Sequence, residues 1–170
     1  MRRAALLAVA VLVCAFALPA AAANEVNATD DWFIQTEAAG NAFEVQGGKL
    51  ALAHASSQMV RAFGAKMIRD HGRGAAQVSS IAHRLHLSTA PKPDETQKWQ
   101  LEELSHEWGA EFDHDYIDLE KGDHVMDVQD VKREKTYGSN PLIKGYAKRW
   151  TPILKTHRDM ADRTMAELGS

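Results

Sequence analysis

The sequence predicts an all-α protein: an antiparallel bundle of four long helices with a short extra helix in the crossing connection. Three observations carry this. Apolar residues recur at helical spacing, as in Val60, Phe63, Met67, Val78, Ile81 and Leu85. No stretch alternates polar and apolar residues as a half-buried strand would. Proline and turn-forming residues gather in a few places, and these divide the chain into segments of helix length.

Thr29 or Asp30 caps a first helix running to about His54. Ser56 and Ser57 mark a short break, and a second helix runs from about Gln58 to Leu87. The stretch from Ser88 to Asp94 contains Pro91 and Pro93 and reads as a linker. Asp94 or Thr96 starts a shorter helix carrying Trp99, Leu101, Leu104 and Trp108, which Gly109 breaks or bends. A further helix spans about Glu111 to Tyr137. Gly138, Ser139, Asn140 and Pro141 then supply a glycine stop, an asparagine cap and a proline for the first helical position. The last helix, Leu142 to about Leu168, contains Pro152 and should kink between Lys148 and Pro152. Short breaks at Ser56–Ser57 and Gly138–Asn140 imply antiparallel neighbours. The two hairpins resemble each other in shape, without a clear internal sequence repeat.

Residues 1–23 read as a secretory signal: Met1, Arg2 and Arg3, an apolar run from Ala4 to Leu18, then Pro19 and alanines to Ala23. Residues 24–170 then form a single helical-bundle domain, expected in the periplasm or outside the cell. No other segment is apolar enough to span a bilayer. Cys14, the only cysteine, lies in the signal, and Val13 before it departs from the lipoprotein pattern. The processed chain would have no cysteine, which excludes disulfides, thiolate chemistry and iron–sulfur clusters. Without Arg2 and Arg3, 18 basic residues face 23 acidic ones. That balance argues against a nucleic-acid surface.

Glu44, His71, His124 and His157 each fall on a different long helix, and the three histidines lie on apolar stripes. Glu44 lies 13 residues before Ser57 and His71 lies 14 after it. His124 lies 16 residues before Asn140 and His157 lies 17 after it. At about 1.5 Å per residue, all four sit roughly 20–25 Å from the turns. If both turns point the same way, as in an up-down-up-down bundle, the four share one layer. The stripe around Glu44 is small: Gly40, Gly47, Gly48, Ala51 and Ala55 admit a close helix or a ligand. Buried carboxylates and imidazoles need partners. A divalent metal ion would satisfy the four together, with Glu120 or Asp70 as extra ligand or support. A structural network, with Glu44 bonded to His71 and His124 to Glu120, would satisfy them as well.

The di-iron pattern needs a glutamate on each of two helices and Glu-x-x-His on the other two. It is not met. Glu103–His106 falls on the connecting helix, and Glu111–His114 lies far from the level of His124. The same counting places His83, His86, Glu111 and His114 together at the opposite end of the bundle, where a solvated helix end is the favoured explanation over a chelating site. Trp32, Trp99, Trp108 and Trp150 read as packing residues. No phosphate-cradling loop and no activated serine stand out, so the sequence names no reaction, and a non-enzyme is the favoured reading.

Several short runs resemble an exported bacterial family, domain of unknown function 4142. They are Phe43-Glu44-Val45, Gly48-Lys49-Leu50-Ala51, Val60-x-x-Phe63 and Met67-Ile68-Arg69-Asp70-His71. Phe112-Asp113-x-x-Tyr116, His124, Ala147, Pro152-x-Leu154 and His157 continue the resemblance in order. It implies a ferritin-like four-helix bundle exported to the periplasm or cell surface, and brings no established reaction. Its recurrent polar positions correspond to Glu44, Asp70, His71, Asp113, Tyr116, His124 and His157. The expected metal ligands are thus Glu44, His71, His124 and His157, with Asp70, Asp113, Tyr116 and Glu120 around them. Gly72 and Gly74 flank Arg73, a departure from the family pattern expected to loosen that helix. Two function classes follow. One is an exported binder of a divalent metal ion or small ligand. The other is a non-catalytic envelope interaction or stress-related chaperone-like protein whose polar layer is purely structural. A redox enzyme is a weaker third.

Overall fold

Helix boundaries follow from local capping chemistry. The structure, a computed structural model, describes residues 25–169, and the secretory-signal reading lies outside them. Among the described residues there are five helices: α1 (Ala28–His54), α2 (Gln58–Leu85), α3 (Glu95–Ser105), α4 (Gly109–Tyr137) and α5 (Pro141–Leu168). Asn27 caps α1, in place of Thr29 or Asp30. Its side chain accepts from the backbone N–H of Thr29 and Asp30, and the Asp30 carboxylate accepts in return from Asn27 N at 2.8 Å. Helix α2 stops two residues short of Leu87, because His86 takes the left-handed conformation with φ 55°. Asp94 and Gln97 form a second capping box at α3. Gly109 does not end α3. It opens α4 with φ +69°, a conformation glycine adopts without strain. Asn140 and Pro141 start α5 as the sequence predicts. Pro152 lies inside α5 at an exposed position.

Helix α1 packs chiefly against α2, and α4 against α5; the two pairs join through α1 on α4 and α2 on α5. The hairpin turns lie at opposite ends of the molecule. Ala55, at the first turn, bridges to Gly109 at the start of α4. Ser139, at the second turn, bonds to Asp30 at the start of α1. The crossing segment therefore returns the chain along the bundle, with α3 lying on α1 and α4. This corrects the up-down-up-down premise. The common level survives because the four residues sit near the middle of their helices, whichever end is counted from. The grouping of His83 and His86 with Glu111 and His114 does not form, since the two pairs are exposed at opposite ends.

Each turn is clamped by an aspartate from the other hairpin. Asp30 accepts from Ser139 N, Ser139 Oγ and Asn140 N, the last at 3.0 Å. Asp113 accepts from Ser56 Oγ and from Ser57 N at 2.8 Å. Asp30 and Asp113 are 83 positions apart, as are Phe33 and Tyr116, Glu37 and Glu120, Asn41 and His124, Glu44 and Asp127, and Phe63 and Tyr146. The packing repeats with the numbering: Phe33–Tyr146 and Phe63–Tyr116 are both edge-on, with centroids 6.1 and 6.0 Å apart. The hairpins are thus related by a pseudo-two-fold. Sequence reading misses it because the paired residues share position and size more than identity.

Two apolar clusters fill the core. One contains Phe33, Val78, Val131, Ile143, Tyr146 and Leu154; the other contains Val60, Phe63, Met67, Phe112 and Ile117. Among the described residues, no helix is long and apolar enough to cross a membrane. Helices α1 and α2 approach closely at Gly48 and Gly64, where a Cβ on Gly48 would stand 2.6 Å from Gly64 O.

Candidate metal centre

Three buried histidines converge from three helices. His71 of α2, His124 of α4 and His157 of α5 are at most 3 % exposed. Each offers a ring nitrogen within 4.8 Å of the others. Centroids are 5.7 Å apart for His71–His124, 5.3 Å for His71–His157 and 5.1 Å for His124–His157. Each imidazole stands on the buried face of its helix: His71 follows Met67 by one turn, His157 lies between Ile153 and Ala161, and His124 lies between the buried Glu120 and Val128.

The outer nitrogen of every ring is committed to an acceptor. His124 Nδ1 donates to the Glu120 carbonyl at 2.9 Å. His157 Nε2 donates to Asp70 Oδ2 at 2.9 Å. His71 Nδ1 donates to Asn41 Oδ1 at 3.2 Å, and that amide is oriented by its own Nδ2 donating to the Glu37 carbonyl at 2.6 Å. Neutral rings then carry their lone pairs on His71 Nε2, His124 Nε2 and His157 Nδ1. The last two face each other at 3.2 Å, and His71 Nε2 has no partner. Burial holds all three imidazoles below the usual histidine range, His124 at about 4. They are therefore neutral and metal-competent at neutral pH.

Asp70 is the anchor behind His157. Burial works to raise its carboxyl, but bonds from Lys66, His157 and Arg73 hold it far below the usual range. Lys66 Nζ stands 2.7 Å from Oδ2, and Arg73 pairs with Oδ1. Arg73 thus has a structural role, and helix α2 runs unbroken through both flanking glycines. Gly72 is exposed; Gly74 is buried because a Cβ there would strike Asn41 Oδ1 and come within 2.7 Å of Trp150.

Glu44 does not join the three histidines in one set. It groups with Glu120 and His124, again with ligand atoms within 4.8 Å, so His124 belongs to both groups. Glu44 and Glu120 are each 1 % exposed. Neither Glu44 oxygen nor Glu120 Oε2 has a hydrogen-bond partner, and the neighbouring Tyr116 hydroxyl also lacks one of normal geometry. His124 Nδ1 is 3.4 Å from Glu120 Oε2. Burial, followed by mutual repulsion and the charge of Asp123, pushes the Glu44 carboxyl well above its usual range. Burial pushes Glu120 to about 8. Room for this pair comes from Gly47, where a Cβ would stand 3.3 Å from the Tyr116 ring and 3.6 Å from Glu120 Oε1.

The Glu44–His71 hydrogen bond of the purely structural network is absent: His71 bonds Asn41 instead. Asp113 stands apart from the cluster, engaged in the turn clamp. Sequence reading passed over Asn41 and Lys66, and noted Arg73 only as a departure from the family pattern. Helical spacing held the signal: Asn41 is three residues before Glu44, and Lys66 and Arg73 stand four before and three after Asp70.

The chain is thus a helical protein with a buried His/Glu group that could hold a metal. No curated protein and no solved structure matches it. The family model described as domain of unknown function DUF4142 matches residues 15–164, and the chain belongs to that family.

Proposed function

We propose that this is an exported ferritin-like bundle that binds one borderline transition-metal ion, of the Zn²⁺, Co²⁺ or Cu²⁺ kind, through His71, His124 and His157. The carrying observation is the direction of the rings. All three are tied at the outer nitrogen to Asn41 Oδ1, the Glu120 carbonyl or Asp70, so their lone pairs point inward. Two lone pairs facing at 3.2 Å repel unless a cation or proton lies between them. Two imidazole nitrogens on one tetrahedral zinc, each at about 2.0–2.1 Å, stand about 3.3 Å apart. Neutral imidazole selects these ions over Mg²⁺ or Ca²⁺. Carboxylate- and carbonyl-tied histidines are the usual support of such sites. Glu44 and Glu120 add anionic donors beside His124, and a cation there would offset the cost of burying both.

Protein made without an affinity tag and stripped with chelator should take up one Co²⁺ or Zn²⁺ per chain. His71→Ala and His157→Ala should each abolish uptake while leaving the helical circular dichroism intact. Absence of binding by the wild type, or equal binding by the variants, would overturn the proposal.

A further inference from the structure

A narrow cavity of about 80 Å³ opens beside the metal centre, between α1 and α4 and against Gln97 of α3. Four acidic residues line it: Glu37, Asp123, Asp127 and Asp130. His71 also lines it, buried and with Nε2 unpartnered. Arg133, which lies over Trp32, is a basic neighbour of Asp130. Tyr146 donates to Glu37 at 2.8 Å and holds that carboxyl in place, while burial and the neighbouring acids raise Glu37 to about 7 and Asp127 well above its usual range.

The pseudo-two-fold gives this cavity a meaning that an acidic cluster alone lacks. Glu37 is the counterpart of Glu120, and Asp127 the counterpart of Glu44. The enclosed carboxylate pair beside His124 therefore has a twin. That twin is partly open, because Asp127 is only half-buried and the flanking Met126 is exposed. Asn41 holds the position equivalent to His124, so the twin has carboxylates and an amide where the enclosed site has imidazole. Hard oxygen donors of this kind hold a hydrated divalent cation loosely and let it pass on.

We infer that the Glu37–Asp127 cavity is an access vestibule that captures hydrated divalent cations from solvent and delivers them to His71. The inference rests on the proposed metal centre. A cleft of one charge sign with low-dielectric walls concentrates counter-ions and accelerates their association. The vestibule should therefore govern how fast the ion arrives, and the histidines how long it stays.

Stopped-flow mixing of metal-free protein with Co²⁺, followed by the visible absorption of cobalt bound to imidazole, separates the two. Asp123→Asn/Asp127→Asn should slow association about tenfold at low ionic strength and flatten its salt dependence. Its dissociation rate into excess chelator should stay that of the wild type. Glu111→Gln/Asp118→Asn changes net charge equally on exposed positions of α4 and should associate at the wild-type rate. Equal association by the vestibule variant, an equal slowing by the control, or faster dissociation as the main effect would overturn the vestibule and leave the metal centre standing. No cobalt spectrum in the wild type would overturn the metal centre itself.

Discussion

His124 Nε2 and His157 Nδ1 face each other at 3.2 Å with neither ring free to turn away. The Glu120 carbonyl fixes one ring and Asp70 fixes the other. Flipping either imidazole would break a buried hydrogen bond, at a cost of roughly 1–3 kcal/mol. The pair is thus held in an orientation that neutral rings alone would avoid, and a bound cation would turn that opposition into coordination.

Asp70→Asn tests the support behind His157. Asparagine keeps the shape and an acceptor oxygen but loses the charge. Metal affinity should fall by about 10–100-fold, as for other outer carboxylates behind ligating histidines. The metal-free fold should lose stability as well, because the bonds from Lys66, Arg73 and the buried His157 that depress the Asp70 carboxyl favour the folded chain. Titration against a competing chelator measures the first effect, and thermal melting the second. Unchanged affinity would show that Asp70 does not orient the ring.

Stability of the metal-free protein should fall as pH rises from about 6.5 to about 8. The folded-state carboxyls of Glu120 (about 8) and Glu37 (about 7) lie above their ordinary value, and Glu44 lies well above its own. The folded chain then holds protons that the unfolded chain has released, so stability drops by about 1.4 kcal/mol per pH unit for each such proton. Below about pH 6.5 the buried histidines oppose this trend. Their folded values are depressed, so the stability they contribute is present above the unfolded histidine value and lost as pH falls. Urea titrations across the upper window should show the decline. Glu120→Gln should make it shallower, and saturating Zn²⁺ should reduce it to the part carried by Glu37, which lies outside the metal-competent groups. A flat or rising profile would contradict protonated buried carboxyls.

Much of this was legible in the sequence. Apolar spacing and capping residues predict all five helices, and counting from the turns predicts one level for Glu44, His71, His124 and His157. The up-down-up-down premise of that count does not hold, and the level survives only because all four sit near mid-helix. Whether Glu44 shares a point with the histidines was not legible. A level fixes height along the bundle but not azimuth, and Glu44 turns toward Glu120 rather than His71. Nor was the direction of the second hairpin, because a crossing segment of that length can either return or turn back. Asn41 and the Asp123–Asp127 pair went unnoticed because polar residues on a helix read as its solvated face until the partner helix is known.

Gly74 and Gly72 should respond oppositely to alanine. At Gly74 the new Cβ strikes Asn41 and Trp150, so the amide that orients His71 must move. The expected loss is about 1–3 kcal/mol, as for other overpacked cores, together with weaker metal binding. At Gly72 nothing lies within 4 Å, and alanine should stabilise the helix by about 0.5–1 kcal/mol with metal binding unchanged. Chemical denaturation of both variants, with cobalt titration, separates the outcomes. Equal effects at the two sites would mean that Asn41 does not depend on the close contact at Gly74.

The two aspartate clamps should behave as twins. Asp113→Ala removes the acceptor of Ser57 N and the Ser56 hydroxyl at one end; Asp30→Ala removes the carboxylate that accepts from Ser139 N and Asn140 N at the other. Each should cost about 1–3 kcal/mol, the penalty for groups left without a buried acceptor. Because the clamps sit at opposite ends and share no partner, the double variant should lose the sum within about 0.5 kcal/mol. Metal affinity should be unchanged in Asp113→Ala, since that carboxylate serves the turn and makes no bond to the histidines. A drop in affinity at constant stability would place Asp113 among the supports of the centre after all. Strong non-additivity would mean that the hairpins unfold as separate units rather than through one shared core.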